Sequence, residues 1–174
     1  MYNLEGPCLL FNKRPKKLVF LLHGYGDHAE NFLSLAKYLN DNTMEANFFA
    51  PNASSIVSQH PQGRQWFNPY PNGTHFINAS PEEKLIMQHE CEASTKQLEG
   101  YISNLCLLNN LSYQDCFLIG FSQGAMIAYE LGNHTKRTFA GCVLLSGRIL
   151  STKKFENNLF IKTPLMIIHG DSDD

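Results

Sequence analysis

Five short, mostly apolar runs divide the chain, and longer stretches of polar or helically patterned sequence separate them: Leu18–Leu22, Ala46–Ala50, Cys116–Ile119, Cys142–Leu145 and Leu165–Ile168. Alternation of this kind is the signature of a parallel sheet whose strands are joined by crossover helices. The run Leu18-Val19-Phe20-Leu21-Leu22 constrains the fold most. It is apolar at every position and bounded by Lys16 and Lys17 on one side and Gly24 on the other, so both of its faces must be covered, as for a central parallel strand.

Between the runs, Phe32, Leu33, Leu35, Ala36 and Leu39 recur at helical spacing and predict a helix over Asp27–Leu39 with Asp27 as its N-cap. Ser80-Pro81-Glu82-Glu83 is a capping box with proline at the first helical position, and it opens a helix that runs through Leu105. Another helix is expected over Gln123–Leu131. The segment from Pro51 to Ser80 is rich in Pro, Asn, Gly and Ser and shows no periodicity, which predicts a long loop, either functional or disordered. No repeat or linker interrupts residues 1–174, so the expectation is a single α/β domain with a mostly parallel sheet and helices on both faces.

Composition narrows the partners. A formal net charge of −2 gives no broad basic surface, so nucleic acid is not expected as a partner. The longest apolar runs have five residues or fewer where a transmembrane helix needs about 20, and no signal peptide precedes the first run. The five cysteines are odd in number, widely spaced and mostly within apolar segments. They read as reduced core residues and, with the missing signal, place the chain in the cytoplasm.

Two stretches carry chemistry. Gly120-Phe121-Ser122-Gln123-Gly124 is a G-x-S-x-G between a predicted strand and a predicted helix. Glycines flank a serine in this way when the strand-to-helix turn is too tight for side chains and the hydroxyl must stand above the sheet as a nucleophile. His23-Gly24-Tyr25-Gly26-Asp27 follows the central strand and leads into a helix, so it exposes backbone N–H groups. Paired with the serine, it reads as an oxyanion hole to which Tyr25 and Gln123 each contribute a backbone N–H. His23, Asp27 and His28 lack ligand spacing and a fourth ligand, so no metal is expected, and the nucleophilic chemistry requires no cofactor. A carboxylate in His169-Gly170-Asp171-Ser172-Asp173-Asp174, after the fifth run, stands where the acid of a serine triad belongs.

The order of Leu22-His23-Gly24-Tyr25-Gly26-Asp27, Trp66-Phe67, Gly120-Phe121-Ser122-Gln123-Gly124-Ala125-Met126 and His169-Gly170-Asp171-Ser172-Asp173 resembles the carboxylesterase/phospholipase branch of the α/β-hydrolase superfamily, which includes the acyl-protein thioesterases. The resemblance covers nearly the whole chain. It implies Ser122 as nucleophile, Asp173 as triad acid, Tyr25 and Gln123 as oxyanion donors, and Trp66 and Phe67 as the lining of an acyl site. The substrates it implies are small acyl esters or thioesters, cleaved through an acyl-serine intermediate.

This sequence departs from the family in one respect. The triad histidine of that family follows the acid, whereas all seven histidines here precede Asp173. Only His60 and His75, in the long loop over the site, are conceivable stand-ins. The resemblance therefore implies a domain incomplete after the acid motif, lacking a last strand and helix. The fifth strand would then be an open edge that invites self-association. Two readings stand: a serine esterase or thioesterase whose histidine comes from elsewhere, and a hydrolase-like chain without turnover. Acyl length, and ester against thioester, are not encoded in any motif.

Overall fold

The computed structural model describes residues 4–41, 43–135, 137–150 and 162–172. In chain order the elements are β1 (Cys8–Leu9), β2 (Lys17–Leu22), α1 (Ala29–Leu33), α2 (Ala36–Leu39), β3 (Ala46–Phe49), β4 (Ser55–Val57), β5 (His60–Gln65), α3 (Pro81–Asn109), β6 (Cys116–Phe121), α4 (Gln123–His134), β7 (Gly141–Leu145) and β8 (Leu165–Ile168). Among the described residues, six strands form one sheet in the order β1-β3-β2-β6-β7-β8. All of its pairs are parallel except β1 with β3.

Strand β2 lies at the centre because its residues are apolar at both parities. Leu18, Phe20 and Leu22 face a core built with Leu98 and Ile102 of α3 and Ile127 of α4. Val19 and Leu21 face the opposite side, against Ala29, Leu33 and Ala36 of α1 and α2 and Phe48 of β3. Helices therefore cover both faces, as an all-apolar central strand requires. Pairing of Leu22 with Gly120 places the C-terminal ends of β2 and β6 side by side, which is where open α/β sheets build their sites.

Three local expectations are corrected. The helix over Asp27–Leu39 is two short helices, and the residue at its N-cap position is His28, not Asp27. Asp27 instead accepts a hydrogen bond from Asn31 Nδ2 at 2.9 Å. The aperiodic Pro51–Ser80 segment contains the antiparallel pair β4–β5, with a register irregularity at Ile56/Val57. Its backbone pairing was invisible because most of β5 (His60-Pro61-Gln62-Gly63-Arg64-Gln65) is polar. Strand β1 is only two residues long, too short for a pattern to show. By contrast, the capping box forms as read. Ser80 Oγ accepts from Glu83 N at 3.2 Å, and Glu83 Oε2 accepts from Ser80 N at 2.7 Å.

At the other edge, β8 pairs only with β7 in the sheet, and Leu165, Met166, Ile167 and Ile168 are all exposed among the described residues. No helix of the described residues is long and apolar enough to cross a membrane.

Candidate active site

Ser122 sits between the last residue of β6 and the first of α4, with φ 49° and ψ −113°. A side chain with a β-carbon rarely adopts positive φ, and such strain persists where the surrounding structure enforces it. Here the enforcing contacts are backbone to backbone. A Cβ on Gly120 would lie 2.4 Å from the Gly124 carbonyl oxygen, and one on Gly124 would lie 2.1 Å from the Leu22 carbonyl oxygen. The start of α4 folds back onto Gly120 and is pressed against the end of β2 at Gly124, so closely that only glycine fits on either side of the serine. Ser122 N–H donates to Leu145 O at 2.8 Å, which ties the elbow to β7 as well.

The turn after β2 is held from the far side by β5. Gly26 N–H donates to Arg64 O and Arg64 N–H donates to Asp27 O, each at 2.9 Å. Gly26 has φ +77°, a conformation that favours glycine. In this arrangement the Tyr25 N–H makes no backbone hydrogen bond among the described residues. The Gln123 N–H opens α4, where helix geometry leaves the first amides without intrahelical acceptors. Both candidate oxyanion donors are thus backbone groups left over by the fold.

Beneath the turn, His23 is structural. Its imidazole is fully buried, Nε2 accepts from Ala53 N–H at 3.1 Å and Nδ1 meets Gly24 O at 2.8 Å. Burial holds its pKa below the ordinary value, so the ring is neutral at pH 7. His28 Nδ1 lies 3.0 Å from Glu30.

A cavity of about 380 Å³ opens beside the elbow, lined by Tyr25, Phe67, Tyr70, His75, Ser122, Gln123, Met126, Ser146 and Arg148, among others. Of the sequence-predicted residues, Ser122, Gln123, Tyr25 and Phe67 share this wall. Trp66 does not line it. Its ring is 1% exposed and packs 5.4 Å from His23, with Nε1 donating to His23 O at 2.9 Å. The Gln123 side chain clamps this pair, because Oε1 accepts from Trp66 N–H and Nε2 donates to Phe67 O, each at 2.8 Å. Ser94 Oγ of α3 donates to Trp66 O. Trp66 therefore fixes the backbone that presents Phe67.

Of the two loop histidines, His75 stands on the cavity wall, with its ring 5.1 Å from Tyr70 and 4.6 Å from Phe76. His60 lies at the start of β5 and is not among the lining residues. No histidine of the described residues hydrogen-bonds the Ser122 hydroxyl. The expected acid, Asp173, lies outside the described residues. Sequence reasoning missed Tyr70, Ser146 and Arg148 as wall residues and the Gln123 side chain as a clamp. Tyr70, Ser146 and Arg148 belong to no motif, and Gln123 occupies a position that G-x-S-x-G leaves open.

A strained serine elbow at the carboxyl ends of parallel strands, facing a glycine turn, defines an α/β-hydrolase site. Residues 11–174 match the phospholipase/carboxylesterase family, and the chain belongs to that family. It is similar to acyl-protein thioesterase 1 of Saccharomyces cerevisiae, with 26% identity over 170 residues, which cover 91% of this chain and 70% of the yeast protein. It is also similar to acyl-protein thioesterase 1 homolog 1 of Dictyostelium discoideum, at 45% identity over 56 residues. That stretch is 31% of this chain and spans only 25% of the Dictyostelium protein. Among solved structures, esterase PE8 superposes with a TM-score of 0.83 at 30% identity, covering 98% of this chain and 76% of that one.

Proposed function

We propose that the chain acts on small carboxylic esters or thioesters through an acyl-serine intermediate at Ser122. The observation that carries this reading is the strained Ser122 backbone on a cavity wall, between glycines that tolerate no side chain. In the proposed reaction the Ser122 oxygen attacks the substrate carbonyl, and the tetrahedral oxyanion is held by the N–H groups of Tyr25 and Gln123 at the positive end of α4. The bond to the leaving oxygen or sulfur breaks, and water later releases the acyl group from Ser122. Phe67 and Met126 supply apolar wall for the acyl chain, and Asp173 takes the role of triad acid by family resemblance. The similarity to acyl-protein thioesterases supports thioesters alongside esters. The exposed apolar edge of β8 supports self-association by strand addition.

One observation favours a second reading, acyl binding with little turnover. The described residues place no imidazole in hydrogen-bond contact with Ser122, and a serine without a base stays protonated and weakly nucleophilic. Trapping a phosphonyl group on Ser122, with Ser122→Ala as control, tests the first reading. The hydrolysis rate measured with and without added imidazole separates it from the second.

A further inference from the structure

The Sγ atoms of Cys106 and Cys116 lie 3.4 Å apart, buried where the last turns of α3 meet the start of β6. We propose that this pair is an oxidation site at which a peroxide converts two thiols into a Cys106–Cys116 disulfide. The sulfurs are already in contact, and a disulfide of about 2 Å requires them to close by only about 1.4 Å.

The chain between them is preorganised. Asn110 ends α3 in the left-handed region with φ 53° and ψ 43°. Leu111 N–H donates back to Cys106 O at 2.9 Å. Asp115 Oδ2 accepts from Ser112 N–H at 3.0 Å, and Lys17 Nζ anchors Asp115 from β2 at 3.1 Å. The reversal that brings the sulfurs together is therefore built from local hydrogen bonds and does not depend on an S–S bond.

The two thiols also differ in character. The hydrogen bond between the two sulfurs favours the Cys106 thiolate and lowers its pKa, whereas the same bond, together with burial, raises that of Cys116, whose Sγ also donates to Ser112 O at 3.3 Å. Burial pushes the thiols of Cys91 and Cys142 up to about 12. Thiolate is the reactive form, so Cys106 is the attacking sulfur. It attacks one peroxide oxygen and the O–O bond breaks. Cys106 becomes a sulfenic acid, and the released hydroxide takes a proton to form water. The Cys116 sulfur then attacks the Cys106 sulfur. The S–S bond forms, the S–O bond breaks, and hydroxide leaves with the Cys116 proton as a second water. Two thiols lose two electrons and one hydrogen peroxide becomes two waters.

The test exposes the folded full chain to hydrogen peroxide, alkylates it in denaturant and maps the peptides. The expected result is a linked Cys106–Cys116 peptide pair, at least about tenfold above any other pairing, while Cys91 and Cys142 remain alkylated. With dimedone present, a Cys116→Ser variant, which keeps a hydroxyl beside Cys106 but has no sulfur to close the disulfide, should trap Cys106 as its sulfenic acid, and the unsubstituted chain should not. If that variant fails to fold, the linkage in the unsubstituted chain decides alone. Alkylation of Cys106 and Cys116 to the same extent as Cys91 and Cys142 would overturn the proposal. So would a sulfenic or sulfinic Cys106 that persists in the unsubstituted chain.

Discussion

Replacing Gly124 by alanine places a Cβ 2.1 Å from the Leu22 carbonyl oxygen, 2.5 Å from its carbon and 2.6 Å from the His23 carbonyl oxygen. All three are backbone atoms of a fully buried strand end, so no rotamer change relieves the contact. To reach even 3.0 Å, the first turn of α4 and the end of β2 must separate by about 1 Å, against close packing on both sides. Overpacking of a core costs about 1–3 kcal/mol when side chains can adjust. With backbone on both sides the expected cost is at the top of that range, about 3 kcal/mol or more. In a domain of this size about 1 kcal/mol moves the melting temperature by roughly 2–4 °C, so Gly124→Ala should melt about 6–12 °C lower. Gly100 provides the control. It lies within α3 with open space where its Cβ would be, so Gly100→Ala should gain about 0.5–1 kcal/mol. Differential scanning fluorimetry of both variants checks the pair. A Gly124→Ala variant melting within about 2 °C of the unsubstituted chain would refute the claim that β2 forces the elbow.

Gln123→Ala should cost about 2–4 kcal/mol, because it strands a buried Trp66 N–H and Phe67 C=O. Trp66 is the chain's sole tryptophan, so a red shift of its emission reports the loss directly. Ser80→Ala removes one half of the α3 capping box and should lower stability by about 1 kcal/mol, read as a shift in denaturant midpoint at unchanged slope. Residues 1–174 should hydrolyse p-nitrophenyl esters slowly, and millimolar imidazole should accelerate the unsubstituted chain well beyond Ser122→Ala. Rapid turnover without imidazole, abolished by His75→Ala, would assign the base to the cavity-wall histidine.

The sequence made the sheet core legible because its signal is composition along a run. Leu18–Leu22 is apolar at both parities, and only a central strand buries both. The elbow was legible because Gly120 and Gly124 answer to backbone approach, a constraint that few other residues satisfy. What stayed hidden depends on tertiary pairing. Strand β5 is polar yet pairs with β4, and Arg64 holds the turn after β2 through backbone atoms that carry no side-chain signature. Trp66 was named for the acyl wall by resemblance, but it lies behind Phe67, with its indole N–H spent on His23 O. The Leu165–Ile168 run is as apolar as a central strand, and among the described residues it stands at the open sheet edge that the resemblance implies for it. Apolarity alone does not say what packs on a strand.

The central claim is that Ser122 is the nucleophile, and Ser146 is the internal competitor. It lines the same cavity and also has positive φ, at 48°. The most direct measurement incubates the folded chain with excess fluorophosphonate and millimolar imidazole and locates the adduct by peptide mass spectrometry, beside Ser122→Ala and Ser146→Ala variants. The account predicts an adduct on Ser122, absent from Ser122→Ala and retained in Ser146→Ala. An adduct on Ser146, equal labelling of Ser122→Ala and the unsubstituted chain, or no adduct on the folded chain would contradict it.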